Sequence, residues 1–187
     1  LKVQAVSFYN QYQRLLGTDM AATGGLGNNQ LYNGGNALVW GLELEASSTI
    51  GASWKQNWSF PVALAYTYTS ATFNRNFDSD FDAWGEVDSA YRMPYIAQHM
   101  LNAQISANYR KFSFNSTTNF TSEMQSQAGL NLEEDLVIPG QWNCDLSLSY
   151  DLNYNVSVFA SLRNAFDAVN LVAMRPAGLR PNMPRSY

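Results

Sequence analysis

Charge is what this sequence has least of. Only 14% of its 187 residues are Asp, Glu, Lys or Arg, against about 25% in an ordinary globular domain. The formal net charge is −4, so there is no basic footprint and nucleic acid is not an expected partner. A single cysteine, Cys144, excludes an intrachain disulfide framework and a cysteine zinc cluster. It lies between Trp142 and Leu146 on one alternating segment, where a free thiol behaves as a small apolar side chain facing lipid or packing. No run of about 18 apolar residues is present, which excludes a transmembrane helix. No signal peptide opens at Leu1, so the chain is expected to begin inside a mature protein or a processed fragment. One histidine, His99, has no nucleophile pattern beside it and is expected to play a structural hydrogen-bonding role. A Gly-x-Ser-x-Gly elbow, a phosphate loop and a dinucleotide fingerprint are all missing. Neither an enzyme nor a cofactor or metal site is expected.

Aromatic residues, by contrast, make up another 14%, and much of the remainder is Ser, Thr, Asn, Gln and Gly. A chain poor in charge yet rich in both classes needs two surfaces, one for lipid and one for water, as in a membrane barrel. The pattern along the chain agrees. From Gln141 to Leu152, Trp142, Cys144, Leu146, Leu148, Tyr150 and Leu152 alternate with Asn143, Asp145, Ser147, Ser149 and Asp151. That is a strand with one dry face and one wet face. Similar segments run from Leu1 to Tyr12, Leu38 to Ala46, Trp58 to Tyr68, Leu101 to Tyr109, Phe112 to Ser122 and Val156 to Leu162. In the first, the phase slips between Ala5 and Phe8, and a bulge is expected there.

These lengths suit a tilted strand crossing a bilayer, which takes about 9–11 residues. Short connections (Ile50–Asn57, Tyr109–Phe112, Asp151–Asn155) alternate with long ones (Gly17–Ala37, Phe73–Gln98, Gln125–Gly140 and the tail from Asn164). Outer-membrane barrels have short periplasmic turns and long extracellular loops. Trp40, Trp58, Tyr68, Tyr95, Tyr109, Trp142, Tyr150 and Tyr154 cluster near strand ends, as aromatic girdles require. The expected fold is therefore all-β: an antiparallel transmembrane β-barrel segment of about seven strands. Seven strands do not close an even-numbered barrel, and lipid does not tolerate open sheet edges. The segment is read as part of a larger barrel.

The end of the chain carries a resemblance. Val158-Phe159-Ala160-Ser161-Leu162-Arg163-Asn164-Ala165-Phe166-Asp167, continued by Arg175-Pro176-Ala177-Gly178-Leu179-Arg180-Pro181-Asn182-Met183-Pro184-Arg185, resembles the penultimate strand and last extracellular loop of TonB-dependent receptors. Ala165 stands where that family more often has Leu, and the aromatic-ended final strand is not in the sequence. Gly41-Leu42-Glu43-Leu44-Glu45, following Asn33-Gly34-Gly35-Asn36, is similar to the family's Gly-x-Glu-x-Glu strand. Leu64-Ala65-Tyr66-Thr67-Tyr68-Thr69 is similar to the strand after it. Met93-Pro94-Tyr95-Ile96-Ala97-Gln98-His99 resembles the Pro-x-x-Pro-x-His entry to the next strand, with Ala97 replacing the second Pro. The tail, with Phe81-Asp82-Ala83-Trp84-Gly85-Glu86-Val87, looks closest to the ferric citrate and siderophore branch.

The resemblance implies a plugged barrel of about 22 strands. Residues 1–187 are then its C-terminal part, with the plug and the final strand outside the sequence. The implied function is outer-membrane import of a ferric chelate, driven through TonB acting on the plug. Implied partners are the chelate, the TonB complex, outer-membrane lipid and the remaining barrel strands. A porin-like or multi-chain barrel, a soluble β-rich module, and carriage of haem, cobalamin or oligosaccharide stay open from residues alone.

Two charged stretches bear on a site. Asp78, Asp80, Asp82, Glu86 and Asp88 face only Arg75 and Arg92 in one loop. Asp78-x-Asp80-x-Asp82 begins like a calcium loop, but the Gly and bidentate Glu do not follow, and a solvated acidic loop is the better reading. The tail is the reverse, with Arg163, Arg175, Arg180 and Arg185 against Asp167. Guanidinium groups bind carboxylate oxygens bidentately, so Arg175, Arg180 and Arg185 are candidate ligand contacts, the alternative being that they brace the loop. Glu43, Glu45, Asn102, Gln104, Asn115 and Asn119 are expected to face the lumen, against either a plug or water.

Overall fold

A computed structural model describes residues 1–18, 31–51, 57–80, 84–174 and 178–187. Arg175, Asp82 and the start of the Phe81–Val87 motif lie outside the described residues. Seven long strands form one antiparallel sheet in chain order. They are β1 (Lys2–Tyr12), β2 (Ala37–Ile50), β3 (Trp58–Phe73), β4 (His99–Tyr109), β5 (Phe112–Thr121), β6 (Gln141–Asn153) and β7 (Val156–Leu162). Each pairs with the next, as a meander must when every connection returns on its own side. The connections β2–β3, β4–β5 and β6–β7 lie at one end of the sheet, and the long ones at the other. All seven expected strands form.

Alternation sorts the residues into rows, because directly paired residues of an antiparallel ladder share a face. One row crosses six strands as Gln4, Glu45, Ala65, Asn102, Asn119 and Asn143. The row beside it holds Lys2, Ser47, Ala63, Gln104, Thr117 and Asp145. On the opposite face, Leu44, Tyr66, Leu101, Phe120 and Trp142 form one row, and Ile105, Ser116, Leu146 and Leu162 belong to another. Leu64, Ile105, Trp142 and Val158 are 45%, 53%, 55% and 55% exposed. A contiguous apolar face of this size belongs against something other than water.

Rings gather at both margins of that face. At the short-turn end, Trp58 stacks on Tyr109 with centroids 4.4 Å apart, and the Arg110 guanidinium lies 5.3 Å from the Tyr109 ring. At the long-loop end, Trp40 meets Tyr68 edge-on at 5.4 Å and Phe120 meets Trp142 at 4.7 Å. His99 sits with these rings, its Nδ1 2.8 Å from the Tyr66 hydroxyl, so it takes the structural role expected of it. Tyr95 lies outside this belt, in the loop before β4. Cys144, on the apolar face, is half-buried with Ser116 Oγ 3.8 Å from its Sγ.

Two expectations need correction. The bulge in β1 does not form: Lys2 to Tyr12 pair one-to-one with Ser47 to Ala37. Phe8 lies on the polar face because it opposes Gly41, and its ring occupies the space a side chain there would fill. A Cβ on Gly41 would come within 2.5 Å of Phe8 Cζ. The irregularity instead lies between Asp151 and Asn153, beside the tight turn into β7. In addition, β2 and β3 run on to Ile50 and Phe73. Above Tyr68 the polarity of the two faces inverts: Ala71 and Phe73 turn toward the side that carried Thr67, while Ser70 and Thr72 take the other. Ile50 lies at the short-turn end, whereas Phe73 and its partner Ala37, at the start of β2, have risen past the apolar zone into a loop-end core.

That core is the tightest packing among the described residues. Ala37 and Phe73 are 0% exposed and Val87 is 1% exposed. Trp84 and Ala128 complete the cluster, with Leu15, Phe77, Tyr91 and Met93 packed on it.

Candidate functional site

The candidate site is the polar face of the sheet and the loop end above it. Small side chains on β3 (Ala63 and Ala65) leave a recess of about 220 Å³ between Gln4 and Glu45 on one side and Asn102 and Gln104 on the other. Carboxamides bridge across the strands: Asn102 donates to Asn119 at 2.6 Å, and Gln104 donates to Asn102 at 3.3 Å. Ser106 donates to Asn115 at 2.7 Å, and Asn115 donates to Ser147 at 3.5 Å. Glu43 and Glu45 stay exposed. All six residues expected to line a lumen thus lie on one face, where uncharged amides are satisfied by each other and the carboxylates by solvent. Such a surface offers hydrogen bonds without a strong fixed field.

The tail closes over the upper end of this face. Asn164 is 4% exposed with φ 48°, a left-handed conformation that Asn tolerates through local hydrogen bonding. Its Nδ2 donates to the Ala168 and Met183 carbonyls at 3.0 and 3.1 Å, and its Oδ1 accepts from Ala168 N at 2.9 Å. Its own N–H donates to Asp145 at 2.8 Å. Asn182 clips the loop a second time, accepting from Asn170 N at 2.9 Å and donating to Ala168 O at 3.0 Å. Asn170 Nδ2 donates to Trp142 O at 2.8 Å, and Gln141 Nε2 donates to Leu171 O. The chain returns at Ser186, which forms an antiparallel bridge with Arg163. Beneath it lies a cleft of about 310 Å³ lined by Asn119, Gln141, Asn143, Arg163, Asn170 and Asn182.

Of the three arginines expected to meet ligand, two are described. Arg180 pairs with Ala173 in a short ribbon, and Arg185 is held by its backbone N–H, which donates to Asp167 at 2.9 Å. Both side chains are exposed. Among the described residues neither guanidinium makes a hydrogen bond or ion pair. The acidic loop is ordered by Asn76, which donates to Asp88 at 3.0 Å and accepts from Ser89 N at 2.8 Å. No cluster of three metal-ligating side chains occurs among the described residues.

Sequence reasoning missed the asparagine hub and the second, larger cleft. The latter measures about 490 Å³ and is lined by Arg92, Glu123, Gln125, Asn131 and Glu134. Its residues come from two loops, and no local pattern links them. The hub did leave a trace, since Asn164 is the polar residue at which apolar alternation stops.

Comparison with known proteins decides the family. Residues 1–165 match the model of the TonB dependent receptor-like β-barrel. The chain belongs to this family. No curated protein matches it. Among solved structures, the ferric-catecholate import receptor Fiu of E. coli K12, closed form, superposes with a TM-score of 0.66 at 17% identity, covering 98% of this chain and 24% of Fiu. The siderophore receptor PiuA from Acinetobacter baumannii gives 0.67 at 14% identity, over 98% and 24% of the two chains. The ferric yersiniabactin uptake receptor FyuA from Yersinia pestis gives 0.65 at 17%, over 98% and 26%. At these identities the likeness is one of fold. The TonB-dependent receptor segment described here spans about a quarter of the length of each, so its seven-strand sheet is a sector of a larger barrel wall.

Proposed function

We propose that this segment is a C-terminal part of an outer-membrane receptor that binds a ferric chelate and imports it with TonB-coupled energy. The family match over residues 1–165 carries the reading. The two-faced sheet supports it: the apolar face meets lipid between the two aromatic belts, and the carboxamide face lines a lumen filled by a plug domain. In this reading the short turns are periplasmic and the long loops extracellular. Solved relatives whose names specify ferric-catecholate and ferric yersiniabactin uptake favour an iron chelate over haem, cobalamin or sugar. Within that class, the tail motif and the Trp84–Val87 segment favour ferric citrate or a siderophore. This reading requires no catalytic group.

The orientation of the faces can be tested at one depth. Leu148 pairs with Ala160 on the apolar face, and Ser161 follows on the other. Leu148→Arg is expected to cost about 2–4 kcal/mol if the site meets the bilayer midplane, while Ser161→Arg is tolerated. Urea titration of the receptor folded in lipid vesicles would read both. Equal cost at the two positions would reverse or abolish the assignment of faces.

The ligand is tested by binding of the full-length receptor in detergent to ferric citrate, ferric siderophores, haem and cobalamin. Tight binding of one ferric chelate is the expected result. Binding of haem or cobalamin alone keeps the receptor and overturns iron, and binding of none favours a porin-like wall. Arg180→Ala and Arg185→Ala are each expected to weaken binding of an anionic chelate about tenfold, the loss of one charge-assisted hydrogen bond. Unchanged affinity in the double variant would remove these side chains from the site.

A further inference from the structure

The loop end has the order of a small domain core. Phe73 meets Phe77 and Trp84 edge-on, with centroids 5.1 and 6.0 Å apart, and Phe77 meets Trp84 at 6.2 Å. These rings come from the end of β3 and the segment after it. The segment after β1 fits between them. A Cβ on Gly34 would come within 2.7 Å of Trp84 Cη2, and one on Gly35 within 2.6 Å of the Phe77 ring. Both glycines are thus slots for aromatic rings of another loop. Backbone bonds fix the arrangement: Leu15 N–H donates to Gly35 O at 2.7 Å, Gly34 N–H to Leu15 O at 2.6 Å, and Asn74 N–H to Asn36 O at 2.9 Å. The segment after β5 joins through Ala128 in the same cluster. It also accepts from Arg92 N–H at Gly129 O (3.0 Å) and from Tyr95 N–H at Gln125 O (2.8 Å).

We infer that the described residues of the segments following β1, β3 and β5 form one rigid cap keyed by Trp84, and that they move as one body rather than as three independent loops. Packed cores are bistable rather than continuously deformable, so a displacement imposed on one segment is passed to the other two. The cap keeps its internal shape, so any displacement of it moves all three parts together.

The test is hydrogen exchange, followed by mass spectrometry, on the full-length receptor in detergent without ligand. Its outcome is therefore separate from whether any chelate binds. Trp84→Ala removes the key from one side, and Gly34→Ala fills its slot from the other. Trp84→Ala is expected to speed exchange at least about tenfold in peptides carrying Leu15 and Gly34 and in those carrying Ser126, as loss of a buried Trp opens what it held. Gly34→Ala is expected to do the same for peptides carrying Ala90 and Tyr91. Wall amides such as Ala65 and Ala103 should not change, which also verifies that the barrel is folded. If Trp84→Ala disturbs the wall, Trp84→Phe takes its place, with a smaller rise again shared by all three segments. A rise confined to the segment that carries the substitution, in any of these variants, overturns the inference.

Discussion

Gly41→Ala is expected to destabilise the receptor by at least about 1–3 kcal/mol, an unusually large effect for one methyl group on a strand. The added Cβ would run into the Tyr68 carbonyl on the neighbouring strand and into the Phe8 ring, 2.5 Å away at Cζ. Removing the ring by Phe8→Ala should restore only part of the loss, because the carbonyl obstacle is backbone. Glycine beneath an aromatic ring is a known device for curving a sheet while keeping its surface covered, and here it joins β1 to β2. Ser47→Ala, in the same strand, should stay within about 0.5 kcal/mol. The midpoint of urea-induced unfolding in detergent reads all four proteins, the parent included. Equal midpoints for Gly41→Ala and the parent would show that the two strands separate freely at this point.

Asn164→Ala is expected to release the tail. The side chain makes three hydrogen bonds at a position 4% exposed. Its removal leaves the Met183 carbonyl and the Ala168 N–H without their partner, while the Ala168 carbonyl keeps its bond from Asn182; the loss is about 1–3 kcal/mol in all. Alanine also sits poorly at φ 48°, by about 1–2 kcal/mol. The chain between Arg163 and Ser186 should then become open to limited proteolysis, with the sheet below it intact. Asn164→Gly relieves the backbone strain alone and should recover little. Asn164→Asp keeps the acceptor and loses the two donated bonds, so it should fall between. Protease resistance in Asn164→Ala equal to the parent would mean that Asn182 and the Arg163–Ser186 bridge suffice.

The wall was legible in the sequence because the physics of a membrane strand is local. A residue meets lipid or water according to its parity, so Trp142 to Leu152 could be read without reference to any other segment. Legibility ended where that rule ended. Ser70, Ala71, Thr72 and Phe73 keep the alternation but exchange the faces, since the loop core and not lipid receives Phe73. The same exchange at Val6 and Phe8 resembles a bulge when read along one strand, and only the partner, Gly41, explains it. The six polar positions from Glu43 to Asn119 were visible as a set because they obey parity. The asparagine hub and the Trp84 key were not, because Met183 lies 19 residues from Asn164 and Trp84 fits against Gly34 of a different loop. Contacts of that range leave no period to detect. The tail arginines were conspicuous as residue types, yet it is the Arg185 backbone N–H that anchors the chain there.

The sheet between the two aromatic belts is a single layer of backbone, with no packed interior of its own. Alternate positions therefore answer to separate surroundings: Ser147 to Asn115 across the polar face, Leu148 to whatever covers the apolar one. Substitutions at one parity carry almost no obligation to the other. A lineage can rewrite the polar face while the apolar one stays fitted to the same medium, and can refit the apolar face without retuning the polar one. That freedom stops at the height of Phe73, where side chains from different loops fill one another's space and a change in one has to be answered in the next.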